Sequence, residues 1–99
     1  MRYRIEYAPD AESHLRALTA RQRAIVVEGA DARLGHEPTR ETRNRKRMRS
    51  NPLASWELRI GNLRVYYDVI VDPEPTIQIL AVGIKERNQV RMGGRVVEL

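Results

Sequence analysis

The fold is decided by residues 56–69, which read WELRIGNLRVYYDV. Apolar residues alternate with polar or charged residues on both sides of Gly61-Asn62, and this pair is typical of a two-residue β-hairpin turn. Because so short a turn fixes the register of the strands that it joins, the sequence also predicts which side chains lie opposite one another. The pairs on the predicted apolar face are Trp56 with Tyr67, Leu58 with Val65 and Ile60 with Leu63.

The second face of the predicted hairpin carries charge. The register places Arg59 opposite Arg64 and Glu57 opposite Tyr66. Like charges directly across a β-ladder are unfavourable, and nothing in the fold requires the arginine pair. Two interpretations stay open: the two guanidinium groups splay apart on a solvated face, or they converge on one phosphate.

The chain before this hairpin predicts a strand and two helices. Residues 2–7 alternate as a half-buried strand, and Pro9 suits the first turn of the helix that follows. Residues 19–22 have the spacing of a capping box, which indicates that a second helix begins at once and continues until Gly35 ends it. So short a connection predicts an antiparallel helical hairpin. Gly29, in the middle of the second helix, indicates close packing against a helix or the sheet.

The other segments differ sharply in polarity. Residues 36–55 lack apolar periodicity and are interpreted as a loop. Residues 77–84 are almost continuously apolar, as in a central strand, whereas residues 85–92 are polar and predict one helical turn before a short strand-like tail, residues 96–99. The order of elements predicts an α+β fold in a single domain, residues 1–99. It comprises an N-terminal strand, an antiparallel helical hairpin and a three-stranded antiparallel meander.

The charge balance favours an anionic partner. The formal net charge is +5, and all but two of the 18 basic residues, Lys46 and Lys85, are arginines. Guanidinium groups bind phosphate and stack on bases, so nucleic acid is the first expectation and an acidic protein the second. The densest basic segment supplies candidate RNA contacts, which are Arg43, Arg45, Lys46, Arg47 and Arg49, with Arg87 added from the region after the central strand.

The composition also excludes several classes of protein. The chain has no cysteine, which excludes a disulfide framework and a thiolate-bound metal. His14 and His36 have no partner at ligand spacing, so neither a metal nor another cofactor is expected. No apolar run approaches the length of a membrane span, and the expected location is the cytoplasm.

Residues 56–69, together with residues 79–87 (ILAVGIKER), resemble the RelE/ParE superfamily of toxins from type II toxin–antitoxin systems. The order of predicted elements extends this resemblance over nearly the whole chain. RelE-type members cleave messenger RNA in the ribosomal decoding site, with the 2′-hydroxyl of the RNA as the nucleophile and without a metal. Basic side chains on the sheet assist, and a tyrosine near the C-terminus often does so as well.

The resemblance carries particular roles to particular positions. Arg59, Arg64 and Lys85 match basic residues of the family motif, but Arg91 stands where a tyrosine is expected and Glu57 where a second basic residue is common. Since a guanidinium does not release its proton near neutral pH, Arg91 suits phosphate binding only. Glu57 is then the candidate base, or simply the salt-bridge partner of a neighbouring arginine, and Tyr66 is a candidate acid that could also stack on a base. The candidate catalytic set is Arg59, Arg64, Lys85, Arg91, Glu57 and Tyr66.

Three functions therefore stay open at this point. The first is a ribosome-dependent endoribonuclease toxin, the second a ParE-like inhibitor of DNA gyrase without nuclease chemistry, and the third a non-toxic basic binding module. The resemblance implies a cognate antitoxin with an acidic segment, which could form a heterotetramer with the toxin. Its other implied partners are the ribosome and messenger RNA.

Overall fold

The computed structural model describes residues 2–98 and shows two helices packed on one face of a seven-stranded sheet. The α+β class predicted from the sequence is confirmed. In chain order the elements are β1 (Arg4–Tyr7), α1 (Pro9–Arg16), α2 (Ala20–Leu34), β2 (Arg45–Arg47), β3 (Trp56–Ile60), β4 (Leu63–Ile70), β5 (Thr76–Glu86), β6 (Gln89–Met92) and β7 (Arg95–Val97). Neither helix is long and apolar enough to cross a membrane.

The sheet is larger than the predicted three-stranded meander. Strands β2 to β7 follow one another in antiparallel order, and β1 pairs in parallel with the first half of β5. Strand β2 lies within residues 36–55, for which the sequence predicts a loop. The sequence does not indicate this strand, because its three residues are all basic and show no apolar alternation. Strand β6 replaces the predicted helical turn, because β5 continues to Glu86 and reverses through Arg87, which has a φ of 58°.

The predicted hairpin register is confirmed at every position. Strand β3 pairs with β4 so that Ile60 lies opposite Leu63 and Arg59 opposite Arg64, and the same register continues to Trp56 and Tyr67. Gly61 has a φ of 59°, a backbone conformation that glycine adopts without the steric penalty of a Cβ atom. The turn therefore places the apolar side chains on one face of the sheet and the charged side chains on the other.

The start of α2 is also confirmed in detail. The Thr19 hydroxyl accepts a hydrogen bond from the Gln22 backbone N–H at 3.1 Å, and the Gln22 side chain accepts one from the Thr19 N–H at 3.0 Å. These two bonds form the predicted capping box. Gly29 of α2 lies against the sheet, where a Cβ atom would stand 2.5 Å from Ile60 Cδ1. The close packing predicted at Gly29 is thus between helix and sheet.

A main apolar core fills the space between the helices and the sheet. It contains buried side chains of both helices and of the three central strands, including Leu15, Val26, Leu58, Val65, Ile77 and Ile79. The opposite face of the sheet carries a second, smaller cluster that the sequence did not predict. Its buried members are Ala54, Tyr66, Ala81, Val90 and Met92.

The second cluster depends on Gly83 in β5. A Cβ atom at this position would stand 2.6 Å from Val90 Cγ1 and 2.8 Å from the Arg91 carbonyl oxygen. Only a residue without a side chain allows the backbone of β6 to approach β5 so closely. Gly83 therefore brings Val90 and Met92 over the face of the sheet that is opposite the helices.

His14 of α1 fills a gap at the edge of β5. Within residues 2–98, β1 pairs with β5 as far as Ile79 and β6 pairs with it from Ile84 onward. Between them the Val82 N–H donates a hydrogen bond to His14 Nδ1 at 3.2 Å. Burial lowers the pKa of His14, and the nearby Asp10 carboxylate opposes part of this effect. The ring is therefore held neutral, with Nδ1 as an acceptor.

We expect Gly83→Ala to destabilise the protein by about 1–3 kcal/mol, because the added methyl group meets backbone that cannot move without displacing β6. Gly29→Ala is the matched control. There the added methyl group meets only the end of the Ile60 side chain, and alanine has a higher helix propensity by about 1 kcal/mol. Urea unfolding of both variants measures the difference. Equal destabilisation by the two substitutions would contradict the role assigned to Gly83.

The lowered pKa of His14 makes stability depend on pH. The unfolded chain binds a proton at His14 at a higher pH than the folded chain does, so the stabilising contribution is complete above about pH 6.5 and is lost as the pH falls through the folded-state pKa. We expect wild type to lose more stability between about pH 7.5 and about pH 5.5 than His14→Gln, which has no imidazole at position 14. Thermal unfolding over this pH range measures the difference between the two proteins. Identical pH profiles for wild type and His14→Gln would refute the assignment.

A candidate nucleic-acid face on the sheet

The candidate site lies on the face of the sheet opposite the helices, at the end near the Gly61-Asn62 turn. Strand alternation and register bring six polar side chains to this region from four strands. We call it the basic face, and its residues are Lys46, Glu57, Arg59, Arg64, Tyr66 and Lys85.

Arg59 and Glu57 form an ion pair on the basic face. Arg59 Nε donates to Glu57 Oε1 at 2.7 Å, and the two side chains are 43% and 14% exposed. The salt-bridge interpretation of Glu57 is therefore confirmed. Lys46 of β2 lies directly opposite Glu57, so a second cation flanks the same carboxylate.

Arg64 lies opposite Arg59 as predicted, but the two guanidinium groups are held by different partners. Arg64 is buried, at 9% exposure, and its Nη1 donates to the carbonyl oxygens of Gly61 at 2.7 Å and Leu63 at 2.9 Å. These acceptors are neutral, and no carboxylate within residues 2–98 forms an ion pair with Arg64. Arg64 therefore stabilises the turn and adds positive potential beneath the basic face. The two guanidinium groups do not converge on one anion.

Tyr66 lies beneath the basic face and has no exposed surface. Its hydroxyl is buried and forms no hydrogen bond of normal geometry with any of residues 2–98. Burial raises the pKa of Tyr66 well above its usual range, and the neighbouring Glu57 carboxylate raises it further. Tyr66 therefore keeps its proton and, in this conformation, cannot stack on a base. The sequence did not reveal this because the residues that cover Tyr66 come from the distant segments 48–54 and 90–92.

Lys85 and Arg91 lie on different faces of the sheet, which corrects the prediction that they line one surface. Lys85 pairs with Val90 on the basic face, whereas Arg91 pairs with Ile84, which packs against the main core. Arg91 Nε donates to Glu86 at 2.8 Å. The predicted position of Arg91 was wrong because the sequence did not predict β6. A helical turn after Lys85 would not place alternate residues on opposite faces of the sheet. Arg87 is exposed in the turn beyond Lys85.

Some basic residues of the segment before the hairpin make structural contacts, and others are exposed to solvent. Arg45 Nη1 donates to the carbonyl oxygens of Arg33 at 2.9 Å and Glu37 at 3.0 Å, so it binds the C-terminal end of α2. The Arg47 guanidinium lies 5.7 Å from the centre of the Trp56 ring, in a cation–π contact. Trp56 is buried, as expected of a core residue. Strand β2 thus directs these two arginines to the helix side, while the exposed Arg43 and Arg49 lie outside it.

A groove of about 430 Å³ lies beside the basic face. The Asn51 side chain shapes the loop that forms one wall: Oδ1 accepts from the N–H groups of Leu53 at 2.8 Å and Ala54 at 3.1 Å, and Nδ2 donates to the Ala54 carbonyl at 3.0 Å. Asn51-Pro52 is a turn signal in the sequence, but the hydrogen bonds of the Asn51 side chain are evident only in the structure. The lining residues are Lys46, Arg47, Met48, Arg49, Ser50, Asn51, Glu57 and Arg59.

The region carries more positive charge than its ion pairs neutralise. Among residues 2–98, five ion pairs form, and none of them includes Lys46, Arg49, Arg64, Lys85 or Arg87. Uncompensated cations on one surface attract polyanions and concentrate them near it. The arrangement can therefore hold a phosphate backbone.

Comparison with known proteins supports the resemblance noted in the sequence. No family model and no curated protein sequence matches the chain. Among solved structures, it is similar to a chain of the RelBE2 toxin–antitoxin complex from Mycobacterium tuberculosis, with a TM-score of 0.72 and 29% identity over 86% of this chain and 100% of that one. It is also similar to a chain of the archaeal RelE–RelB complex from Pyrococcus horikoshii, with a TM-score of 0.67 and 25% identity over 88% of this chain and 99% of that one. The chain is therefore RelE-like.

Proposed function

We propose that this chain is the toxin of a toxin–antitoxin pair and that it cleaves messenger RNA on the ribosome, in the cytoplasm. The observation that carries the proposal is the uncompensated positive charge of the basic face on a RelE-like fold. A surface of this kind binds the phosphate backbone of a single strand. Of the similar structures described above, one is a toxin–antitoxin complex and the other a RelE–RelB complex, which supports the toxin assignment.

The proposed reaction needs no metal. The 2′-hydroxyl oxygen of the RNA forms a bond to the adjacent phosphorus, the bond from phosphorus to the 5′-oxygen breaks, and the products are a 2′,3′-cyclic phosphate and a 5′-hydroxyl. One proton leaves the 2′-hydroxyl and another reaches the 5′-oxygen. The phosphorane carries more negative charge than the phosphodiester, so cations placed beforehand stabilise the transition state.

In this proposal the exposed cations of the basic face carry the largest share of catalysis. Arg59 and Lys85 are both accessible, and Arg64 contributes its charge from beneath the turn. Glu57 stays the candidate proton acceptor, although Arg59 already occupies one of its oxygens. Tyr66 can act as an acid only after the residues that cover it move, and Arg91 lies outside the site.

We further propose that an acidic antitoxin segment covers the basic face and that the pair assembles as a heterotetramer. The net charge of +5 favours an acidic partner and predicts that association slows as salt is raised. The antitoxin would then neutralise the surface that binds RNA.

The burial of Tyr66 favours a second candidate, a ParE-like inhibitor that binds DNA gyrase without chemistry. A toxin of this kind needs a surface but no proton donor. Cleavage of messenger RNA in a translating extract and inhibition of gyrase in a supercoiling assay separate the two candidates.

We expect induced expression without an antitoxin to stop growth, and the purified protein to cut messenger RNA only when ribosomes are present. Lys85→Ala should lower the cleavage rate about 100-fold, because one cation that stabilises the phosphorane is lost. Primer extension on a translated message measures the rate.

The matched control for Lys85→Ala is Arg91→Ala. This substitution also removes one exposed cation, but from the other face of the sheet, and should leave the rate within about twofold of wild type if charge acts locally. Equal losses in the two variants would contradict the proposed site. Gyrase inhibition without RNA cleavage would contradict the nuclease and favour the second candidate.

A further inference from the structure

A carboxylate lies inside the otherwise basic groove. Glu57 lines it together with Lys46, Arg49 and Arg59, and its side chain is 14% exposed. Arg59 Nε holds Glu57 Oε1 at 2.7 Å, which restricts the orientation of the carboxylate. A groove that bound only phosphate would be weakened by this negative charge. The presence of Glu57 therefore points to a ligand that offers hydrogen-bond donors as well as phosphate.

The carboxylate has acceptor capacity to spare. An ionised carboxylate offers about four lone-pair positions; the Arg59 guanidinium uses one of them, and the Tyr66 hydroxyl lies beside the carboxylate as a second neighbour. Lys46 lies opposite Glu57 in the neighbouring strand but forms no ion pair with it among residues 2–98. Acceptors of this kind do not bind phosphate, but they do bind the N–H groups at the edge of a nucleobase.

The rest of the groove suits a single nucleotide. Its volume of about 430 Å³ lies within the range of small-ligand sites. Lys46 and Arg49 supply cations at the sides, and the half-buried Met48 supplies a polarizable sulfur that packs well against an aromatic ring. The loop wall is held by the four hydrogen bonds of Asn51, so the shape exists before a ligand binds.

We propose that this groove is a base-reading subsite in which Glu57 selects guanine. Guanine presents two adjacent donors, N1–H and N2–H, whose spacing matches the two oxygens of a carboxylate. Adenine and cytosine each present an amino group beside a ring nitrogen that is an acceptor and repels the carboxylate. Uracil presents one N–H between two carbonyl groups. The proposal rests on the proposed function, since it names which RNA base the same face recognises, and it assigns Glu57 to base binding in place of proton transfer.

Binding of short RNA probes tests the subsite without any need for cleavage. The probes are 5′-fluorescein pentaribonucleotides of sequence UUNUU, in which N is guanosine, adenosine, cytidine, uridine or inosine, and fluorescence anisotropy is measured without ribosomes at fixed salt. Inosine keeps N1–H and lacks the N2 amino group. We expect wild type to bind the guanosine probe about tenfold more tightly than the adenosine, cytidine and uridine probes, with inosine between them.

Glu57→Gln separates base recognition from charge. Removing one negative charge should strengthen binding of all probes similarly, whereas losing the paired acceptors should reduce the guanosine preference to less than about twofold. Glu86→Gln is the matched control, because Glu86 is also paired with an arginine but lies away from the groove. It should strengthen binding slightly and keep the preference. Circular dichroism of the variants checks that each one is folded.

Two results would overturn the proposal: equal binding of the five probes by wild type, or an unchanged guanosine preference in Glu57→Gln. Either result would leave ribosome-dependent cleavage to be decided by its own assay. A guanosine preference in a chain that fails to cleave would, conversely, reject the nuclease and retain the subsite.

Discussion

The two-residue turn at Gly61-Asn62 determines which side chains face the helices and which face solvent. A shift of β3 by one residue against β4 would exchange the two faces of β3, because side chains alternate along a strand. Leu58 would then leave the core, and Arg59 would enter it. Arg64 strengthens the turn by donating to two of its carbonyl groups. The arginine that the motif assigns to catalysis thus also secures the register on which the site depends.

The parts of the fold that sequence predicts are those decided by neighbours in the chain. The capping box at Thr19 and the turn at Gly61 each depend on residues within four positions of one another, so both can be recognised in the sequence. The side on which Arg91 lies and the cover over Tyr66 depend on contacts between segments far apart in sequence. Nothing in the local pattern of residues 85–92 distinguishes a hairpin from a helical turn. The positions of the candidate residues on β3 and β4 could therefore be predicted, whereas the predicted position of Arg91 was wrong.

Several arginines have structural roles without losing their charge. Arg45 binds helix carbonyl groups, Arg47 stacks on Trp56, and Arg64 binds the turn. Each partner is neutral, so the guanidinium is fixed in place while its positive charge still contributes to the potential. A carboxylate partner would have fixed the side chain equally well but cancelled the charge. The same residues can therefore stabilise the fold and attract RNA.

The basic face attracts any RNA strand through its positive charge, and within the groove Glu57 forms directional hydrogen bonds with a base. Attraction by Lys46, Arg49 and Lys85 is strong but indifferent to sequence, since every nucleotide carries the same phosphate. Selectivity needs a group that interacts with the base edge, and Glu57 is the directional acceptor within the groove. Its negative charge weakens the attraction, but Arg59 offsets this and holds the carboxylate in one orientation. An acceptor that is oriented before binding loses little conformational entropy when a base binds. Glu57 therefore weakens the attraction of phosphate only modestly while it discriminates between bases.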